Sequence, residues 1–390
     1  MNEIATGANL APLPYRLRLP GPTAVPERVR QAPALPVIAH RSAEFRALLG
    51  ESEAMLRPLF GTQNHVYFFA CSGTGMMEAC LVNVLAPGER LLVIVNGQFG
   101  ERFAAIAKAL GAQVDALEVP WGEGVEPAAI AARLDRTEYR AVVLVHNESS
   151  TGVVADLAGI GAVLRDRPTL LVVDSVSGLG GVELRQDEWG VDIIVSASQK
   201  ALMCPPGIGV ASVSAKAAKV IARESGMPRF YWDFRRARDA AEKTEATFTP
   251  PVSLMAGLRE ALRMIHEEGV PETLARHRRL GEALRAGCAA MGLASFPSKG
   301  TLSSTVSVLK VPEGMEGGTI VRRLYEKHRT VIAGARNKLS GKVVRIGTMG
   351  YLHGGDIVTD LLHLEDVLIE LGAPIKRGAG VAAAAEVIGH

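Results

Sequence analysis

The stretch VVDSVSGLGGVELRQDEWGVDIIVSASQKALMCPPGIG, residues 172–209, decides how the rest of the chain is read. Two short apolar runs end in polar residues: Leu170-Leu171-Val172-Val173 runs into Asp174, and Ile193-Ile194-Val195 into Ser196, Ser198, Gln199 and Lys200. Short β-branched runs bounded by Gly and polar residues suit strands of a parallel sheet covered on both faces. Ligands bind at the carboxyl ends of such strands, so Asp174 and Lys200 are expected on the rim of one pocket. An arbitrary Asp/Lys pair is most simply a salt bridge at a strand end. Here the company favours chemistry. Lys200 follows a small-polar run and precedes Pro205-Pro206-Gly207, a rigid turn that fixes the backbone beyond it. A lysine that attacks carbonyls needs such a fixed, partly desolvated seat, because only its neutral amine is nucleophilic.

With 390 residues the chain is long enough for two domains and a large core. Its 48% hydrophobic and 22% charged residues, with 41 glycines, make an ordinary soluble α/β composition. A net charge of +2, with basic residues scattered among acidic ones, argues against a nucleic-acid or membrane-surface partner. No apolar run approaches membrane-spanning length, and the first residues lack the apolar core of a signal peptide. Cys71, Cys80, Cys204 and Cys288 show no CxxC spacing and read as free thiols of a reducing cytoplasm, with no metal site. Cys204 lies near Lys200, but with no adjacent histidine it is expected to be a small apolar filler.

The start of the chain, residues 1–20, is Pro-rich and is expected to be an arm packed on another domain or subunit. Pro20-Gly21-Pro22-Thr23 is a turn cluster before a short helix starting near Pro26. His40-Arg41-Ser42 leads into an amphipathic helix over 45–60. After a strand at 66–70, Cys71-Ser72-Gly73-Thr74-Gly75 reads as a loop opening a helix over 76–85. Strand, Gly-rich turn and helix N-terminus together form an anion site. Many α/β proteins turn this way without binding phosphate, and the spacing is not the dinucleotide GxGxxG.

Further strands are expected at 91–95, 114–119 and 141–145. The first ends in Asn96-Gly97-Gln98-Phe99-Gly100. The last ends in His146-Asn147-Glu148-Ser149-Ser150-Thr151-Gly152, a polar cluster too dense for packing alone. Beyond a strand at 210–213 and an aromatic segment at 230–234, Thr247-Phe248-Thr249-Pro250-Pro251 marks a boundary. Helices at 254–268, 272–292, 319–328 and 356–371 then accompany strands at 305–309, 331–333 and 343–346. Arg345 lies inside the last strand, where an unpaired arginine is costly to bury, so a structural ion pair and an anion grip both stay open. The division expected is an arm (1–20), a large domain (21–253), a small C-terminal α+β domain (254–375) and an Ala/Gly-rich tail (376–390).

DSVSGLGG followed by DEWGVDIIVSASQKAL and PPG resembles the cofactor-lysine region of the class V, fold type I aminotransferases, nearest to the serine–glyoxylate and alanine–glyoxylate enzymes. The resemblance runs in order from PGPTAVP near the start to KVVRIGTMG near the end. It implies a large domain with a mostly parallel seven-stranded-type sheet, a smaller C-terminal α+β domain, and pyridoxal 5'-phosphate as cofactor. In that family pattern Lys200 holds the cofactor and moves the proton, while Asp174 faces the pyridine nitrogen. Ser72, Gly73, Thr74 and Gln199 fall at the phosphate, Ser149 at the ring hydroxyl, and Phe99 and Val176 on the two ring faces. Arg345 would grip the substrate carboxylate. The resemblance also implies a homodimer, with Arg41 reaching the partner's substrate and Thr249 the partner's phosphate. Ala246, Thr247 and Phe248 stand where some relatives carry Tyr or His, so a second interfacial phosphate contact is not expected.

The activity implied is ping-pong transamination from a small amino acid, serine or alanine, to glyoxylate or pyruvate. Pyridoxamine–pyruvate and ureidoglycine–glyoxylate enzymes share much of the framework. A rival of another class is a non-catalytic binding subunit that keeps the fold. The sequence shows no mobile-loop cysteine of the kind a desulfurase needs.

Overall fold

Seven strands form the central sheet of the computed structural model, which describes residues 16–223 and 225–389. In chain order they are β1 (Val66–Cys71), β2 (Arg90–Val95), β3 (Gln113–Glu118), β4 (Ala141–Val145), β5 (Leu170–Asp174), β6 (Ile193–Ala197) and β7 (Gly207–Val213). Across the sheet they run β1-β7-β6-β5-β4-β2-β3. All neighbours from β6 to β3 pair parallel. Only β7 runs against both of its neighbours.

The near-continuous apolar strands follow from burial on both faces. Leu92, Ile94, Val142, Leu144, Leu171 and Val173 point into one core, beneath the helices Ala43–Phe60 and Val252–Glu268. Their sequence neighbours Leu91, Val93, Val143, Val145, Leu170 and Val172 point into the other, beneath Gly73–Val84 and Gln98–Ala109. A strand alternates its side chains between faces. When both faces are covered, every position must be apolar.

A second, antiparallel sheet of Val306–Lys310, Val343–Gly347 and Ala333–Gly334 lies in the C-terminal part. Its apolar face and the helices Val270–Ala290 and Gly354–Glu370 share a core containing Leu284, Val344, Ile346, Leu361 and Leu364.

Two local expectations change, and the tail gains an element. The helix expected from 76 begins at Gly73, because Ser72 is its N-cap and accepts from the Gly75 N–H at 3.4 Å. The strand expected over 331–333 splits in two. Thr330–Val331 pairs parallel with Arg16–Leu17, whereas Ala333–Gly334 joins Val343–Gly347, and buried Ile332 crosses between them. The Ala/Gly-rich tail, for which no element was expected, contains the helix Ala379–Ile388, consistent with the high helix propensity of alanine. It lies on Val270–Ala290 at a spot where Gly287 leaves no room for a side chain, since a Cβ there would sit 2.8 Å from the Gly380 carbonyl oxygen.

Of the expected N-terminal arm, residues 1–15 lie outside the described part. Arg16 and Arg18 are anchored to the helix Gly354–Glu370, with buried Arg18 Nε 2.5 Å from buried Asp360 Oδ2. From that anchor the chain passes directly to Lys200. The Thr23 N–H donates to the Gln199 carbonyl at 3.1 Å, and Thr23 Oγ1 to that of Lys200 at 3.0 Å.

Candidate active site

Asp174 closes β5, and Lys200 lies just beyond the end of the adjacent strand β6, where Val195 stands opposite Asp174. Parallel pairing therefore carries both side chains to one edge of the sheet. They face a cavity of about 230 Å³. Ser72, Gly73 and Thr74 enter it from the start of the helix Gly73–Val84, Phe99 from the start of Gln98–Ala109, and Ser149 from the loop after β4. Val176 and Gln199 complete the set of sequence-expected residues that line it. Gly73 must lack a side chain because Val176 Cγ2 would lie 2.8 Å from its Cβ.

Burial is the main force on both titrating groups. It pushes the Lys200 amine down to about 8; Asp174 opposes this, and the cations Arg345 and Arg102 add to it. Burial also raises the Asp174 carboxyl to about 7, against the Val176 N–H that donates to Oδ1 at 2.7 Å. Glu148 adds to the rise, whereas Lys200 and Arg102 oppose it. A carboxylate and an amine whose ordinary values lie far apart are thus brought close to neutrality. The Lys200 amine donates to the Pro20 carbonyl oxygen on the N-terminal strap.

Glu148 is buried, and burial raises its carboxyl pKa. Its Oε2 accepts from the Phe99 and Gly100 N–H groups at 3.0 and 3.1 Å, while Oε1 accepts from Ser150. Arg345 reaches the rim from the second sheet: Nε donates to the Gly334 carbonyl at 3.0 Å and Nη1 to that of Ser149 at 3.4 Å. Arg345 thus contacts a loop that lines the cavity. Arg41 and Thr249 are exposed and do not line it within this chain. Thr249 instead borders a small pocket with Phe68, Phe69, Tyr231 and Phe248.

The family model for aminotransferase class-V matches residues 31–346. This chain belongs to the class-V aminotransferases. A serine–glyoxylate aminotransferase of Methylorubrum extorquens is 36% identical over 383 residues, covering 95% of each chain. A protein named soluble hydrogenase 42 kDa subunit, from Anabaena cylindrica, is 38% identical and covers 96% of this chain and 98% of its own. The crystal structure of ureidoglycine–glyoxylate aminotransferase from Bacillus subtilis superposes with a TM-score of 0.92 at 32% identity, covering 100% of both chains.

As a class-V aminotransferase the protein is a pyridoxal-phosphate-dependent transaminase with amino-acid and keto-acid substrates, and its fold is that of the fold type I enzymes. The cavity fits this cofactor. Two buried acceptors, Asn147 Oδ1 and Gln199 Oε1, belong to residues that line it and have no partner among the described residues. Such groups are costly unless a ligand or water satisfies them. Among the described residues no group of three His, Cys, Asp or Glu is placed to hold a metal ion, and no helix is long and apolar enough to cross a membrane.

Met77, Arg102, Val145 and Ser177, which sequence reasoning passed over, also line the cavity, as does Asn147, which it noted only within the polar cluster after β4. Met77 and Arg102 had a readable signal, since each lies one helical turn from a residue already singled out. The strap at Pro20 and Gly21 had none, because it meets Lys200 only through tertiary structure.

Proposed function

We propose that this enzyme transfers the amino group of a small amino acid to glyoxylate, with Lys200 and Asp174 as its catalytic pair. The observation that carries the reading is the convergence of these two groups, from adjacent parallel strands, on one lined cavity. Glyoxylate is favoured as acceptor because similar proteins with different named donors, serine and ureidoglycine, share that partner in their names. Serine or alanine is the donor favoured here.

In this reading Ser72, Gly73, Thr74 and Gln199 hold the cofactor's phosphate, Phe99 and Val176 enclose its ring, and Ser149 meets the ring hydroxyl. When bound, pyridoxal phosphate supplies the aldehyde that takes up amines and a ring that withdraws electrons from the substrate's Cα–H bond. Lys200, with its amine lowered to about 8, has far more neutral base at physiological pH than a free lysine. It would move the proton between substrate Cα and the cofactor's C4′ carbon, as base and then as acid, in each half of the cycle. Asp174 keeps a proton on the ring nitrogen, and Arg345 orients the substrate carboxylate with its planar fork. The working unit is a cytoplasmic homodimer in which Arg41 and Thr249 serve the neighbouring site. The unit around the central sheet supplies the cavity lining, and the C-terminal unit contributes Arg345 at its rim.

The test is a visible absorption band in protein supplied with pyridoxal phosphate, lost in Lys200→Ala and shifted by serine. A donor panel against glyoxylate and pyruvate then fixes the substrates. A second reading, a binding subunit that keeps the fold, is prompted by the 38% identical protein named as a hydrogenase subunit. A chain that forms no such band, or forms it without turning over any donor, would support that reading instead.

A further inference from the structure

Arg102 stands one turn beyond Phe99 on the helix Gln98–Ala109, and its guanidinium carbon lies 4.7 Å from the centre of the Phe99 ring. Positions three apart share a helix face, and a guanidinium lies well on an aromatic plane. Its Nη1 also donates to Thr74 Oγ1 at 3.1 Å, on a different helix. The side chain therefore ties the aromatic wall of the cavity to the start of Gly73–Val84, and it lines the cavity itself. Among the described residues no carboxylate lies within ion-pairing distance of it. Its charge acts inward, favouring ionised Asp174 and neutral Lys200.

A cation with no carboxylate partner beside a helix N-terminus concentrates positive potential at one place. The Thr74 hydroxyl, which accepts from Arg102, keeps its own hydrogen to donate onward. We propose that Arg102 is the phosphate-binding cation of this enzyme, acting through the Thr74 hydroxyl while it braces Phe99. The inference rests on the reading that the cofactor's phosphate lies at Ser72–Thr74. A dianion is held there by a full positive charge as well as by backbone N–H groups.

Two ligands separate this role from general support of the fold: pyridoxal phosphate, and pyridoxal, which lacks the phosphate. Arg102→Gln raises the Kd for pyridoxal phosphate tenfold or more and leaves that for pyridoxal within twofold of the parent. Arg102→Lys, which keeps the charge, recovers part of the loss. In ³¹P NMR of the reconstituted holoenzyme, the phosphate of Arg102→Gln takes up its proton at higher pH than in the parent, because the dianion has lost a neighbouring cation. Equal weakening of both ligands, or unchanged binding of pyridoxal phosphate, overturns the proposal. Ser72→Ala and Thr74→Ala tell which premise has failed. If they weaken pyridoxal phosphate selectively while Arg102→Gln does not, only the role of Arg102 is wrong; if none of the three does, the phosphate lies elsewhere.

Discussion

A methyl group on Gly21 would lie 2.5 Å from Nζ of Lys200 and 2.7 Å from its Cε. The strap from Pro20 to Thr23 thus lies directly against the Lys200 amine, and at φ +109° Gly21 has a backbone that side-chain-bearing residues rarely adopt. Gly21→Ala must move either the strap or the lysine. We expect its affinity for pyridoxal phosphate to fall by roughly tenfold, with the folded chain losing on the order of 1–2 kcal/mol from backbone strain. Absorbance titration of the cofactor band checks the first figure and thermal unfolding the second. Parent-like loading would show that the strap gives way freely.

Glu148 holds the segment that presents Phe99. Replacing it with alanine leaves the Phe99 and Gly100 N–H groups without their acceptor, at about 1–3 kcal/mol for each buried donor. We expect Glu148→Ala to be destabilised by roughly 3 kcal/mol, with Glu148→Gln intermediate because its carbonyl oxygen serves one side of the network only. Denaturant unfolding measures both. Gly97→Ala should resemble Glu148→Ala, since its Cβ would collide with Cγ and Cδ of Glu148.

His277 gives a pH dependence with a definite sign. It is buried and bonded at both nitrogens, Nδ1 to the Thr273 carbonyl at 2.7 Å and Nε2 to the Gly350 N–H at 3.0 Å, an arrangement that requires the neutral ring. Burial first, and then Arg276, hold its pKa down at about 4, against an ordinary 6.5. Between these values the unfolded chain binds the proton and the folded one does not, so the contribution is present above pH 6.5 and is lost as pH falls toward 4. Two and a half pH units correspond to at most about 3 kcal/mol. The stability gap between the parent and His277→Gln is therefore expected to close as pH drops from 7 to 4.5. A gap that stays constant across that range would mean the histidine is not held neutral.

Arg345→Lys keeps the charge and loses the planar fork. We expect KM for amino donors to rise roughly tenfold or more, while the affinity for pyridoxal phosphate stays near the parent's, because Arg345 contacts the cavity only through the Ser149 carbonyl. Steady-state kinetics and a cofactor titration on the same preparation check both halves. An equal loss of cofactor affinity would place Arg345 in the cofactor's support instead.

Where a stretch's chemistry is local, its role was legible in advance. The apolar run before Asp174 reads as a doubly covered strand because both of its faces are buried, and Ser72-Gly73-Thr74 reads as a Gly-rich turn leading into a helix because its residues are turn formers. Even so the helix boundary slipped, since a capping serine starts a helix earlier than the apolar periodicity shows. The single strand expected over 331–333 became two because each half pairs with a partner far away in sequence. The Ala-rich end carried no expected element for a related reason: its propensity is visible, but the close approach that receives it at Gly287 is not.

By itself the sequence determined the main strands and the family, because strand burial, turn residues and family motifs are properties of short segments. Only the tertiary structure decided that the Pro20–Thr23 strap lies across Lys200, that Glu148 pins the Phe99 segment, and that Arg102 joins Thr74 to Phe99. Those relationships depend on through-space distances between residues far apart in the chain. Local propensity carries no record of them, and they exist only once the two cores have packed.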